Sequence, residues 1–256
     1  MLWRVALSEL DPTGRFGDRA NDYVKYRPSY PAAAVDAVLA GLGAPASLHA
    51  ADIGAGTGIS ARLLGDRGVR VIAVEPNAPM RDAATPHPNV TFHDGTAEAT
   101  GLADGAFDLV LCAQSFHWFR PEPALNELAR ILRPSGRLAL MWNRRSQSDP
   151  FTAGYRDAIL AASGESAAER MEFDPALVPR SRLFSALSST SVPNAQRLDL
   201  SGLIGRAQSA SYVPKHGPNA ERLLELLRAL HERHADPGGC VTLVYETEVH
   251  VCERLI

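Results

Sequence analysis

Two apolar patterns alternate along the first 143 residues. One is short and nearly continuous: Leu48 to Ile53, Val69 to Val74, Val90 to His93, Phe107 to Ala113 and Arg137 to Trp142. Runs of this length, bounded by Gly, Pro and polar residues, read as strands buried on both faces of a parallel sheet. The other pattern repeats every three to four residues. Val35, Val38, Leu39 and Leu42 define a helix over 31–42, closed by Gly41, Gly43 and Pro45. Helices over 60–67, 79–84 and 123–132 fall between the later strands, and Pro134-Ser135-Gly136 marks a turn before the fifth strand. Strand and helix alternating at this spacing build a doubly wound sheet.

After Asn143 the pattern changes. Residues 144–195 read as helical or irregular, broken at Pro150, Pro175, Pro179 and Pro193. This predicts a helical cap between the fifth strand and a sixth over Gln196 to Leu200. Ala220 to His234 carries Leu223, Leu224, Leu227 and Leu230 at the spacing of an amphipathic helix. Val241 to Cys252 alternates apolar and polar residues, as an antiparallel strand beside the sixth would. The expected fold is α/β: a Rossmann-like, doubly wound, seven-stranded sheet, mostly parallel with an antiparallel last strand, plus a helical cap. Its expected parts are an arm over 1–15, a ligand-binding core over 16–143, the cap over 144–195, and a completion of the sheet over 196–256.

Composition narrows the classes of function. With 45% hydrophobic residues in a chain of 256, a full core is possible and global disorder is not expected. A net charge of −3 and the lack of any Lys/Arg tract argue against a nucleic-acid substrate. Cys112, Cys240 and Cys252 form neither a metal-ligand spacing nor an even disulfide set, so no metal is expected and a reducing cytoplasm fits. Leu2 to Leu7 is too short for a signal core and is interrupted by Arg4, and no run is long enough for a membrane span. The expected protein is cytoplasmic, free of membrane and nucleic acid, and a monomer or homodimer.

The chemistry concentrates at strand ends. Asp52-Ile53-Gly54-Ala55-Gly56-Thr57-Gly58 follows the first strand and precedes a helix, the arrangement that brings backbone N–H groups close to a nucleoside ligand. Its spacing is G-x-G-x-G rather than the G-x-G-x-x-G of dinucleotide sites. Asp52 suits a ligand bearing an ammonium better than one bearing a pyrophosphate. Both features speak against a nicotinamide-dependent oxidoreductase. Thr57 is placed either to cap the helix or to touch a carboxylate. Glu75-Pro76 ends the second strand, where an acidic side chain accepts hydrogen bonds from ribose hydroxyls.

These residues resemble the class I S-adenosylmethionine-dependent methyltransferases, the small-molecule enzymes often called type 11. Asp52 to Gly58, Glu75, Gly95-Thr96-Ala97-Glu98, and Phe107-Asp108-Leu109-Val110 leading into Gln114-Ser115-Phe116-His117-Trp118-Phe119 carry the likeness. The opening segment Tyr23-Val24-Lys25-Tyr26-Arg27-Pro28-Ser29-Tyr30-Pro31 is similar to that of the trans-aconitate methyltransferase-like branch. The resemblance implies S-adenosyl-L-methionine as cofactor, S-adenosyl-L-homocysteine as product, and methyl transfer to a small molecule, with a carboxylate among the possible acceptors. A cofactor-binding sensor without transferase activity is the alternative in another class. The implied cofactor contacts are Tyr23, Arg27, Asp52, Gly54, Gly56, Thr57, Gly58, Glu75, Pro76, Thr96, Ala97, Glu98, Gln114, Ser115 and Trp118. Thr96 stands where the family often has Asp, which leaves the backbone of Ala97 as the adenine contact. His117 is the one histidine expected beside the methyl and the candidate base. Acceptor contacts are expected from Arg144, Arg145, Phe151 and Tyr155 and from the segment Arg206 to His216.

Overall fold

The computed structural model describes residues 20–163, 174–210 and 212–255. The expected arm, 1–15, lies outside the described residues, as does part of the expected cap. In chain order the elements are α1 (Ala20–Tyr26), α2 (Ala32–Leu39), β1 (His49–Ile53), α3 (Ile59–Asp66), β2 (Arg70–Val74), α4 (Ala78–Asp82), β3 (Val90–His93), β4 (Phe107–Ala113), α5 (Pro121–Ile131), β5 (Leu132–Arg145), α6 (Pro150–Ser163), α7 (Leu177–Arg180), β6 (Ser188–Leu198), α8 (Leu200–Gln208), α9 (Pro218–His234) and β7 (Val241–Glu253). The seven strands form one sheet in the order β3-β2-β1-β4-β5-β7-β6. Neighbours from β3 to β5 are parallel, and β7 runs antiparallel to both β5 and β6.

The continuous apolar strands are buried on both faces. In β4, Val110 and Cys112 join Ala51, Ile53, Leu125 and Leu128 in a core under α5. Leu109 and Leu111 point the other way, into a core with Val35, Val38 and Leu64 from α2 and α3. Alternation with period two therefore serves two helical layers at once. A third cluster joins Phe151, Tyr155 and Ile159 of α6 to Leu223 and Leu227 of α9 and to Leu243 and Tyr245 of β7. The described part of the cap thus packs on the outer end of the sheet.

One expectation needs correction and another is extended. The sixth strand begins at Ser188, not at 196. Its residues Ser188-Ser189-Thr190-Ser191 are exposed and Pro193 lies within it, as an edge strand permits because one row of its N–H groups has no ladder partner. Such a strand has no apolar periodicity to read. The last strand pairs with β5 as well as β6, from Arg137↔Glu253 to Arg145↔Tyr245, so it is inserted between them. The turn at 134–136 is present as an irregularity in β5, between the pairs Phe107↔Leu132 and Leu109↔Arg137.

The segment after α1 is tied across the sheet's carboxyl end. Gln196 donates to the Tyr26 carbonyl at 2.9 Å, and Asn194 donates to the Ser29 carbonyl at 2.9 Å. The Tyr26 ring packs where a Cβ at Gly205 would stand, 2.3 Å from its nearest atom, so α1 seats on α8 only because residue 205 has no side chain. Among the described residues no helix is long and apolar enough to cross a membrane.

Candidate functional site

The connections from β1 and β4 leave in opposite directions across the sheet, which opens a crevice above their carboxyl ends. A cleft of about 910 Å³, counted out to its mouth, fills that crevice. Its floor is the turn after β1. Gly54, Gly56 and Gly58 all have φ in the left-handed region, at 67°, 58° and 75°. A Cβ on Gly54 would stand 2.7 Å from Ser115 Cβ, and one on Gly56 would stand 3.3 Å from Met80 Cε. The N–H groups of Gly54 and Ala55 both donate to the Val74 carbonyl, at 2.9 and 3.1 Å, bending the turn over the end of β2.

Glu75 stands at the end of β2. Its Oε2 accepts the Gly56 N–H at 2.8 Å and its Oε1 accepts the Asn77 N–H at 3.0 Å. Burial pushes its pKa up, while these two bonds and Arg81 pull the other way. Each oxygen keeps a further lone pair, so two adjacent hydroxyls entering the cleft would find acceptors. Asn77 also caps α4, taking the Met80 N–H at 3.1 Å and setting the Met80 side chain in the cleft wall. After β3, Thr96 and Ala99 exchange backbone hydrogen bonds at 3.2 and 3.3 Å, a tight loop with Ala97 at its buried tip. Glu98 accepts the Arg120 N–H at 2.8 Å.

The end of β4 supplies the remaining wall. Ser115 donates from Oγ to the Ile53 carbonyl at 2.6 Å, locking β4 to β1. Gln114 has φ 55°, a conformation that side-chain-bearing residues seldom adopt. It is held there by its N–H on the Met141 carbonyl at 2.8 Å and its Nε2 on the Asn143 carbonyl at 3.2 Å. Strain of this kind persists where the surroundings over-determine it, and it clusters at functional sites.

Of the residues expected from the sequence, Tyr23, Gly54, Gly56, Glu75, Pro76, Thr96, Ala97, Glu98, Gln114, Ser115 and Trp118 line this cleft. Arg27, Asp52, Thr57, Gly58 and His117 do not. Asp52 is fully buried beneath the turn, where its Oδ2 accepts the Ser60 hydroxyl at 2.6 Å. Burial raises its pKa to about 7, outweighing the Ser60 bond, with the Glu75 charge adding to the rise. Thr57 is also fully buried, and its carbonyl accepts Arg62 Nη1 at 2.7 Å. Gly58 precedes α3 against the Phe92 ring.

His117 receives the Trp142 indole N–H on Nδ1 at 3.4 Å, which assigns the ring proton to Nε2. Burial, together with the Arg27 and Arg144 charges, lowers its pKa to about 3, so the ring is neutral at pH 7. Met80, Phe119 and Arg120 line the cleft without having been expected. The short helix placed after Glu75 and the aromatic run through Phe119 were the signals for two of them; nothing in the sequence pointed to Arg120.

A second cavity, of about 990 Å³ counted out to its mouth, lies on the far side of Gln114. Arg27, Asn143, Arg144, Arg145, Arg206 and Tyr212 are in its wall. A smaller pocket shares Tyr23 and Gly54 with the cleft and Arg27, Asn143 and Arg206 with the cavity. Gln114 borders all three. Arg27 therefore stands on the side away from the glycine turn's main cleft, its guanidinium 4.5 Å from the centre of the Tyr23 ring.

Residues 51–140 match the methyltransferase domain family. An uncharacterized methyltransferase of Mycobacterium tuberculosis is 42% identical over 146 residues, which is 56% of this chain and 58% of that protein. The chain thus matches less than two thirds of the length of such curated relatives. A candidate type II methyltransferase of Anaeromyxobacter dehalogenans has a similar solved structure, with a TM-score of 0.68 and 26% identity over 90% of this chain and 99% of the other. The fold is shared with phosphoethanolamine N-methyltransferase 2 of Haemonchus contortus, solved with S-adenosylhomocysteine, at a TM-score of 0.57 and 14% identity over 100% of this chain and 62% of that one. The segment 51–140, set in this sheet, is thus similar to a methyltransferase domain, and the sheet around it has the fold of the solved methyltransferase-type structures.

Proposed function

We propose that the chain is an S-adenosylmethionine-dependent methyltransferase acting on a small molecule by in-line methyl transfer. The observation that carries this reading is the cleft over the glycine turn, with Glu75 in its wall and Gln114 separating it from a second cavity. The residues fit the cofactor: the turn has no side chain at Gly54 or Gly56 to fill the cleft, and the Glu75 carboxylate has lone pairs for two hydroxyls. Glu75 would hold the ribose, the loop at Thr96 to Glu98 the adenine, and Tyr23 and Trp118 the aromatic walls. When bound, S-adenosylmethionine supplies an electrophilic methyl on a sulfonium, and a cation of that kind is favoured beside aromatic faces.

The protein's part is alignment and exclusion of water. Gln114, fixed by two hydrogen bonds, is placed to keep the acceptor against the cleft. Asp52 and Thr57, buried under the turn, support the site without touching the ligand. The Tyr23 to Pro31 segment, the arginines of the second cavity and the likeness to the trans-aconitate branch support a carboxylate acceptor. Such a nucleophile is already deprotonated at neutral pH and needs no base. This agrees with His117, whose Nδ1 lone pair is occupied by Trp142.

Calorimetry with S-adenosylhomocysteine, with NAD as control, tests the reading, followed by methyl-transfer assays on a panel of small acids, phenols and amines. Micromolar binding is expected, about −8 kcal/mol at 1 μM. Binding of NAD in place of S-adenosylhomocysteine would overturn the assignment. Cofactor binding with no transfer to any acceptor class would favour the sensor alternative.

A further inference from the structure

Three arginines stand in the wall of the second cavity with no carboxylate to answer them among the described residues. Arg27 donates from Nη2 to the Ser209 carbonyl at 3.0 Å, Arg206 from Nη1 to the Ser209 hydroxyl at 3.5 Å, and Arg145 from Nη2 to the Tyr212 hydroxyl at 3.4 Å. The Arg145 guanidinium lies 5.1 Å from the centre of the Tyr155 ring. Nε of Arg27, Nε of Arg206 and the Tyr155 hydroxyl are buried with no hydrogen-bond partner among the described residues. Burial disfavours the charge on all three and holds Arg27 below the ordinary guanidinium value, whereas at Arg145 and Arg206 the surrounding tyrosines outweigh it; among the described residues no Asp or Glu is a source of these shifts. Arg144, in the same wall, is different, because its Nε meets Glu248 at 2.7 Å.

A cation withdrawn from water is costly unless paired, and three of one sign add their mutual repulsion. Burial pushes the Tyr212 phenol up, yet the Arg145, Arg206 and Arg27 charges outweigh it and hold its pKa below the ordinary tyrosine value. The field in this cavity favours negative charge. A guanidinium also presents the planar fork that fits the two oxygens of a carboxylate or phosphate, which an ammonium does not.

We infer that this cavity is the recognition site for an oxyanion, a carboxylate or a phosphate, bound by Arg27, Arg145 and Arg206. That the oxyanion belongs to the methyl acceptor rests on the proposed transferase reading; binding of the anion does not. Gln114, common to the cavity and the cleft, then lies between the held anion and the methyl donor.

The test is thermal unfolding and calorimetry on the full chain at fixed ionic strength, titrating inorganic phosphate, benzoate and, as control, chloride. A saturable rise in Tm with phosphate or benzoate and none with chloride is expected, and the stronger of the two identifies the oxyanion. Arg206→Met removes one uncompensated buried charge. It should raise or leave unchanged the Tm of the anion-free protein while weakening anion binding at least tenfold. Arg145→Met provides the same readout where Arg206→Met does not fold. No saturable response in the wild type, with S-adenosylhomocysteine still bound, would overturn the inference and leave the transferase reading standing. A lowered Tm in either variant with undiminished anion binding would also overturn it, since the arginines would then be structural. An anion response that persists where S-adenosylhomocysteine fails to bind would support the site and sink the transferase reading.

Discussion

Replacing Asp52 by Asn separates two roles for the acidic residue before the glycine turn. The carboxyl's ordinary pKa of 3.8 is raised in the fold to about 7, first by burial. A raised folded value means that the stabilisation is fully present below pH 3.8 and is lost as pH rises through about 7. At about 1.4 kcal/mol per pH unit, a rise of about three units amounts to on the order of 4 kcal/mol of cost carried by the ionised wild type at pH 8. Asn has no charge to bury and still offers an oxygen to the Ser60 hydroxyl. Asp52→Asn should therefore be more stable than wild type by on the order of 4 kcal/mol at pH 8 and by only about 1–2 kcal/mol at pH 5, where the folded carboxyl is still protonated. Urea unfolding at the two pH values measures this. Because Asp52 does not line the cleft, S-adenosylhomocysteine affinity should change by less than about tenfold, under 1.4 kcal/mol. A variant less stable at pH 8, or one that folds well but binds far more weakly, would refute the reasoning and give the carboxylate a direct hold on the cofactor.

Glu75→Ala should weaken S-adenosylhomocysteine binding by about 1–3 kcal/mol by calorimetry, through loss of a charged acceptor for the hydroxyls; unchanged affinity would remove Glu75 from the ribose site. Gly56→Val places a β-branched side chain at φ 58°, at a cost of about 1–2 kcal/mol in stability. The variant should unfold cooperatively but show no Tm shift with S-adenosylhomocysteine, and a retained shift would place the ligand elsewhere. His117→Ala should leave the transfer rate nearly unchanged and flat between pH 6 and 8 if the acceptor is a carboxylate. The same substitution should soften acid unfolding: the folded imidazole, lowered to about 3, refuses the proton that the unfolded chain takes up below 6.5. A large rate loss, with activity rising with pH, would instead make His117 the base for a phenol, amine or carbon acceptor.

The strands buried on both faces, the glycine turn and the acidic residue after the second strand are all legible from residue order. Those features are local. A continuous apolar run such as Leu109-Val110-Leu111-Cys112 is buried in any parallel sheet, and three glycines at left-handed φ are specified by their own lack of a Cβ. The polar edge strand from Ser188 was illegible because, among the described residues, no strand pairs with its outer edge and its first four residues are exposed, so no hydrophobic period had to be written into it. Arg27, Arg145 and Arg206 are legible as candidate contacts, but their gathering in one cavity depended on tertiary structure. Arg27 follows α1, Arg145 ends β5 and Arg206 lies in α8, and packing of the Tyr26 ring on Gly205, with the Arg27 bond to the Ser209 carbonyl, brings the first beside the third. Burial likewise settled what residue type could not: Asp52 lies under the turn instead of in the cleft, and the His117 imidazole is a neutral partner of Trp142. A side chain's type is set by the sequence, but its charge state and its partners are set by what the fold removes from water around it.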